Sequence, residues 1–192
     1  MKVLVTGGTG FTGKALVRRL LDLGHEVVAL DYHEGLKTEE LRQWGAQVVI
    51  GSVTDREVVR RCVAGVDVVQ HLAAAFRELN VPNSHYDEVN VGGTRIMLEE
   101  SVQAGVKRFI YCSTCGVHGN VDHPPANEEA PIQPADYYQR TKYEAEPLVM
   151  QYHKNGLPAV IIRPAAIYGP GDPERFSPTR SEERRVGKEC RS

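Results

Sequence analysis

Short apolar runs alternate along this chain with stretches in which apolar residues recur every three or four positions. Val3 to Val5 form the first run, cut off by Thr6-Gly7-Gly8-Thr9-Gly10, after which Ala15, Leu16, Leu20 and Leu23 take helical spacing. That change of period predicts a strand, a glycine turn and a helix. The same reading predicts strands over 26–30, 47–50, 67–72, 107–112 and 158–163, and helices over 38–44, 55–63, 84–104 and 136–154. A loop rich in Pro and Asn fills 119–135. Strands separated by helices in this way require a parallel sheet with helices on both faces, the doubly wound α/β arrangement. The segments VVAL, QVVI and VIIR are nearly all apolar, as strands covered on both sides must be.

Composition narrows the class of protein. A chain of 192 residues, 41% hydrophobic and 25% charged, suits one globular domain with a substantial core. The formal net charge is −2 and the basic residues are scattered through the first 179 positions, so no nucleic-acid footprint is present and a small-molecule partner is expected. The opening MKVLVTGGTG has three consecutive apolar residues before its glycines, too few for a signal core or a membrane span. A cytoplasmic protein without a membrane partner is expected. Four cysteines, at 62, 112, 115 and 190, do not make the dense framework of a small secreted domain, and reduced thiols are expected.

The glycine turn carries the first candidate chemistry. Gly7, Gly10 and Gly13 fall between the first strand and first helix, where glycine permits a tight turn and close approach of backbone to a pyrophosphate. The free amides and positive dipole end of the helix favour that anion, and Phe11 and Thr12 would supply the amides. Asp31 ends the second strand, 18 residues after Gly13, where a carboxylate accepts hydrogen bonds from the adenosine ribose and repels a 2′-phosphate. The pair predicts NAD in preference to NADP, a preference that His33 would weaken if it pointed inward.

Of eight tyrosines, only Tyr138 has a lysine four residues later, Lys142, on one face of the predicted helix. A phenol with a pKa of about 10 is a poor base at neutral pH, and a neighbouring ammonium together with a cationic nicotinamide would favour its phenolate. Tyr138 would then exchange a proton with a substrate hydroxyl while hydride moves to or from the nicotinamide, and Lys142 would hold the nicotinamide ribose.

The motifs TGGTGFTG (6–13), Asp31, HLAAA (71–75), NVGGT (90–94), YCSTCGVHG (111–119), YYQRTK (137–142) and RPAAIYGPGD (163–172) occur in an order that resembles the extended short-chain dehydrogenases/reductases of the NAD-dependent epimerase/dehydratase kind, enzymes of nucleotide sugars. The resemblance implies a Rossmann-type domain over 1–172. It places the catalytic Ser/Thr at Thr114, with Ser113 as the alternative, and a supporting helix asparagine at Asn90. It also implies that Leu72, Ala73 and Ala74 line the cofactor cleft, and that Pro164, Ala165 and Ile167 pass near the nicotinamide. Two departures stand out. Ser52 replaces a common aspartate that contacts the adenine amine, so recognition would pass to Ser52 and the Val53 backbone, and His118 replaces a common tyrosine on the substrate side.

The resemblance further implies transient oxidation of a nucleotide sugar, epimerisation ahead of dehydration, and a homodimer through the helices near 84–104 and 136–154. Within the same fold the alternative is a ketone, hydroxysteroid-like or dihydroflavonol-type reductase, and outside enzymes it is a dinucleotide-binding regulator.

The remaining motifs read as structural. Cys112 ends a buried strand and a loop follows, whereas a redox C-x-x-C places its first thiol at a helix N-terminus, so Cys112 and Cys115 are expected to be bystanders. Seven histidines show no metal spacing, and His71 is expected to be a packed, hydrogen-bonded residue. The last thirteen residues, RSEERRVGKECRS, include eight charged ones and keep no apolar period. They back-translate into a string resembling a sequencing adapter, so 180–192 are expected not to be native. Residues 173–179 would then begin a smaller substrate domain largely missing from this chain, leaving the fragment with weak or no turnover.

Overall fold

The structure, a computed structural model, describes residues 1–78, 80–121 and 124–170. Six strands form one parallel sheet in the order β3-β2-β1-β4-β5-β6. They are β1 (Lys2–Thr6), β2 (Glu26–Asp31), β3 (Gln47–Ile50), β4 (Val68–His71), β5 (Arg108–Cys112) and β6 (Ala159–Ile162). The helices α1 (Phe11–Asp22), α2 (Leu36–Gln43), α3 (Arg56–Val63), α4 (Asn83–Tyr86), α5 (Thr94–Gln103) and α6 (Tyr137–Lys154) complete the doubly wound α/β fold expected from the sequence.

Alternation within the strands explains the two layers. Val3, Val5, Val27 and Ala29 turn to one face and pack with Val17 of α1 and Leu41 of α2. Leu4, Val28, Leu30 and Val69 turn to the other, where Val59, Met97, Leu98 and Val149 cover them. Both faces are apolar because both are roofed by helices, so the central strands read as continuous apolar runs.

One predicted helix is not uniform. The segment expected over 84–104 is α4, then a π-helical stretch Asp87–Gly93, then α5. A π stretch keeps the helical direction while shifting the side-chain register, which apolar spacing does not record, and such stretches concentrate at functional sites. The loop expected over 119–135 follows a short 3₁₀ turn, Cys115–His118. Residues 171–192, which include the GD of the last motif, 173–179 and the 180–192 tail, lie outside the described residues.

Strand order reverses between β1 and β4, and Thr6 pairs in register with His71 across that switch. The cleft beyond the carboxyl ends of the strands opens at this point, as open parallel sheets require.

Candidate active site at the switch point

The glycine turn owes its shape to crowding. Gly7 has φ +69°, and a Cβ there would lie 3.0 Å from the Ala73 amide nitrogen. At Gly13 a Cβ would fall 2.0 Å from the Gly7 carbonyl oxygen, so no side chain fits. Gly10 precedes α1 with no capping side chain and no acidic residue in the first helical turn, so the amides of that turn are offered to a ligand. Phe11, Thr12 and Gly13 form that turn.

Asp31 is buried and tied to this turn. Its Oδ2 accepts from the Thr9 amide at 2.9 Å and the Thr9 hydroxyl at 2.6 Å, and its Oδ1 accepts from the Tyr32 amide at 2.9 Å. The His33 ring stands 3.9 Å from the Tyr32 ring, and both residues are exposed. Ser52 turns its hydroxyl onto Thr54, at 2.8 Å from Oγ1, while Val53 packs into the core against Gly93.

A chain of buried polar groups joins the turn to α6. Thr6 Oγ1 accepts from the Leu72 and Ala73 amides, at 3.1 and 3.0 Å, and stands 2.8 Å from His71 Nδ1. His71 Nε2 lies 3.0 Å from Thr94 Oγ1, which donates to the Asn90 carbonyl at 2.7 Å. Thr94 has spent its proton on Asn90, so His71 must donate from Nε2 and accept at Nδ1 from Thr6. Burial, helped by the Lys142 charge, pushes His71 down to about 3, so it stays neutral.

Asn90 sits in the π stretch. Its Oδ1 accepts from the Ala75 amide at 2.8 Å, and its Nδ2 donates to the Ala75 carbonyl at 3.2 Å and to Thr141 Oγ1 at 2.9 Å. It therefore clamps the loop after β4, which includes Ala74, to α6. Its side chain is fully buried and acts on neighbouring protein groups.

Tyr138 and Lys142 lie in α6, which starts after Asp136 caps it by accepting from the Gln139 amide at 2.7 Å. Lys142 is 1% exposed, and its Nζ has no hydrogen-bond partner among the described residues. It stands 4.2 Å from the centroid of the Tyr111 ring, a cation–π contact. Burial pushes it down to about 8, against the opposing influence of Cys112 and Glu146. A buried ammonium in this state is a vacancy in hydrogen bonding that ligand hydroxyls would satisfy.

The phenol is governed by its burial. Burial pushes Tyr138 up to about 12, and Cys112 and Asp136 push the same way. In the protein alone, desolvation is the largest influence on the phenol. Burial also pushes the Cys112 thiol up, so it stays protonated beside these two groups.

Thr114 and Ser113 diverge. Thr114 Oγ1 accepts from the Gly116 amide at 3.1 Å and caps the 3₁₀ turn, while Gly116 packs against Gln139 in the first turn of α6. Ser113 is 2% exposed and donates to Glu146 Oε1 at 2.5 Å. Arg163 closes on the same carboxylate through Nε at 3.0 Å and Nη2 at 2.6 Å. Its Nη1 donates to His118 Nε2 at 3.0 Å. The Pro164 carbonyl accepts from the Cys115 amide at 3.0 Å, bringing the segment after β6 beside Thr114; Ala165 and Ile167 further on are exposed.

Glu146 and Arg163 were not singled out from sequence. A signal existed, because Glu146 follows Lys142 by the four-residue step that links Lys142 to Tyr138. The cysteines at 62, 112 and 115 are free thiols, and Cys115 is exposed.

These groups sit on a fold with known counterparts. The pattern of the NAD dependent epimerase/dehydratase family matches residues 3–188, and the chain belongs to that family. It is 35% identical over 193 residues to a 2-alkyl-3-oxoalkanoate reductase of Stenotrophomonas maltophilia, a match covering 98% of this chain and 57% of that protein. It is 38% identical over 186 residues to a 3 beta-hydroxysteroid dehydrogenase/Delta 5→4-isomerase of Mycobacterium tuberculosis, covering 91% of this chain and 49% of that one. Among solved structures it resembles a dTDP-glucose 4,6-dehydratase of Streptomyces venezuelae with NAD bound, at TM-score 0.84 and 31% identity, over 97% of this chain and 63% of that one. A UDP-glucose 4-epimerase of Thermotoga maritima with UDP-glucose gives TM-score 0.80 and 32% identity, over 88% and 57%. The chain thus spans about half the length of the curated relatives it matches.

Proposed function

We propose that the complete protein interconverts a secondary alcohol and its ketone with NAD as cofactor. The observation that carries this reading is Lys142, a buried ammonium without a partner among the described residues, one helical turn from Tyr138. The glycine turn and first-turn amides of α1 suit the pyrophosphate, and Asp31, already oriented by Thr9, suits the adenosine ribose. Lys142 suits the nicotinamide ribose. NAD, when bound, supplies the hydride acceptor and, in its oxidised form, a positive charge beside the phenol.

In oxidation the carbinol hydrogen leaves as hydride and the hydroxyl proton goes to Tyr138, assisted by a Thr114 hydrogen bond to the substrate oxygen. Reduction reverses both transfers, and the proton-bearing phenol favoured by burial is then the competent form. Thr114 is favoured over Ser113 because the Ser113 hydroxyl is committed to Glu146. NAD is favoured over NADP by the buried Asp31 carboxylate, with His33 turned onto Tyr32.

Two outcomes share this chemistry. Epimerisation of a nucleotide sugar, the first expectation from sequence, draws support from the solved epimerase and dehydratase; net alcohol–ketone conversion draws it from the reductase and hydroxysteroid dehydrogenase relatives. NADH accumulating in step with product marks the second, and its absence marks the first. Tyr138→Phe in the complete protein should lower kcat about 10²- to 10⁴-fold with NADH still bound. Full activity in that variant sinks the mechanism. A cytoplasmic setting and a homodimer through α5 and α6, where Val102 and Met150 are half exposed, belong to the same reading.

A further inference from the structure

Phe76 stands where the loop after β4 passes over the catalytic helix. Its ring centroid lies 4.7 Å from that of Tyr138, with the rings inclined at 60°. The residue is nonetheless 45% exposed. Arg77 follows with φ 53°, a setting that non-glycine residues rarely adopt, and lays its guanidinium carbon 5.2 Å from the Phe76 centroid. A large aromatic side chain is thus held beside the phenol.

Among the described residues, several carboxylates on the neighbouring segments are engaged elsewhere. Asp136 caps α6, and Asp87 accepts from the Tyr137 hydroxyl at 2.7 Å. Glu78 pairs with His85 at 2.9 Å. Glu146 is held by Ser113 and Arg163. The Cys112 thiol lies near enough to the phenol to influence it. A sugar presents several hydroxyls that each need a partner, and burying them against a phenyl ring and carboxylates already engaged leaves them short. An alicyclic or alkyl alcohol needs one polar partner and a flat apolar wall.

We propose that Phe76 is a specificity-determining residue that selects a secondary alcohol or ketone with an apolar face beside the reacting carbon, in preference to a nucleotide sugar. The assignment rests on the Tyr138 chemistry proposed above and names the substrate class for the same site.

The test uses the complete protein with NAD, a panel of 3β-hydroxysteroids and 3-hydroxyalkanoate esters, and UDP-glucose. Wild type should oxidise at least one apolar alcohol with higher kcat/KM than it shows for UDP-glucose. Phe76→Ala should lower that value roughly 10- to 100-fold, and Phe76→Leu, which keeps an apolar wall, should retain most of it. NADH affinity, unchanged within about twofold in both variants, shows that the cofactor site is intact. Preference for UDP-glucose, no oxidation of any apolar alcohol, or an unchanged substrate ratio in Phe76→Ala would each overturn the assignment. Activity surviving Tyr138→Phe overturns the underlying mechanism instead, whereas its loss alongside an indifferent Phe76→Ala removes the selectivity role alone.

Discussion

The two ends of the cleft are finished to different degrees. On the β1–α1–β2 side, the turn is closed by its own backbone and Asp31 has its hydrogen bonds in place before any ligand arrives. On the α6 side, Lys142 lacks a partner among the described residues and burial drives both it and Tyr138 away from their charged forms. A recognition surface made of backbone can be complete in the empty protein at little cost. A reactive surface made of buried titratable groups carries a desolvation cost that a ligand must offset. Ligand-free stability and catalytic readiness therefore oppose each other at one end of this cleft and not at the other.

Substitution at Gly13 should show the largest effect on the finished end. The new Cβ of Gly13→Ala would lie 2.0 Å from the Gly7 carbonyl oxygen, and backbone on both sides cannot yield cheaply. A loss on the order of 3 kcal/mol in urea unfolding is expected, with NADH binding weakened more than about tenfold. A variant as stable as wild type would show that the turn is less constrained than its contacts indicate.

Lys142→Met should act with the opposite sign. The ammonium titrates near 8 in the folded chain and near 10.4 when unfolded, so between those values the unfolded chain holds the extra proton and stability rises with pH. Below pH 8 the charge is buried at its full cost, roughly 3 kcal/mol. Methionine removes that cost, and after loss of the cation–π contact with Tyr111 a gain of about 2 kcal/mol is expected at pH 7. The gain should shrink above pH 8 and vanish near 10.4. Urea unfolding across pH measures it, and a destabilised variant at pH 7 would erase the contrast between the two ends.

The smallest effect is expected at Asp31. Asp31→Ala removes acceptors from Thr9 and Tyr32, a loss of about 1 to 2 kcal/mol in stability. Paired titrations should also show the ratio of NADH to NADPH affinity moving toward NADPH. An unchanged ratio would mean that Asp31 serves the turn and not the ribose.

The same contrast explains what could be read from sequence. The glycine turn, the six strands and the Tyr138–Lys142 step were legible because each is written in local spacing. The π stretch was not, since widening the turns over Asp87–Gly93 calls for no residue type that a sequence reading would single out. Phe76 over Tyr138, and Ser113 and Arg163 gathered at Glu146 with His118 against Arg163, join residues far apart in the chain. The upward shift of Tyr138 followed from burial, a quantity that only packing supplies.

The chain from Thr6 through His71 and Thr94 to Asn90 has one further property. Each hydroxyl has a single proton with one destination, and His71 keeps one tautomer, so the row is an insulator where it has the length of a wire. Nothing in it can accept a proton from the cleft without another bond reversing. The row ends on the Asn90 carbonyl, which passes no proton on, so in the proposed mechanism solvent isotope effects on turnover of the complete protein should not respond to His71→Gln even where that change lowers stability.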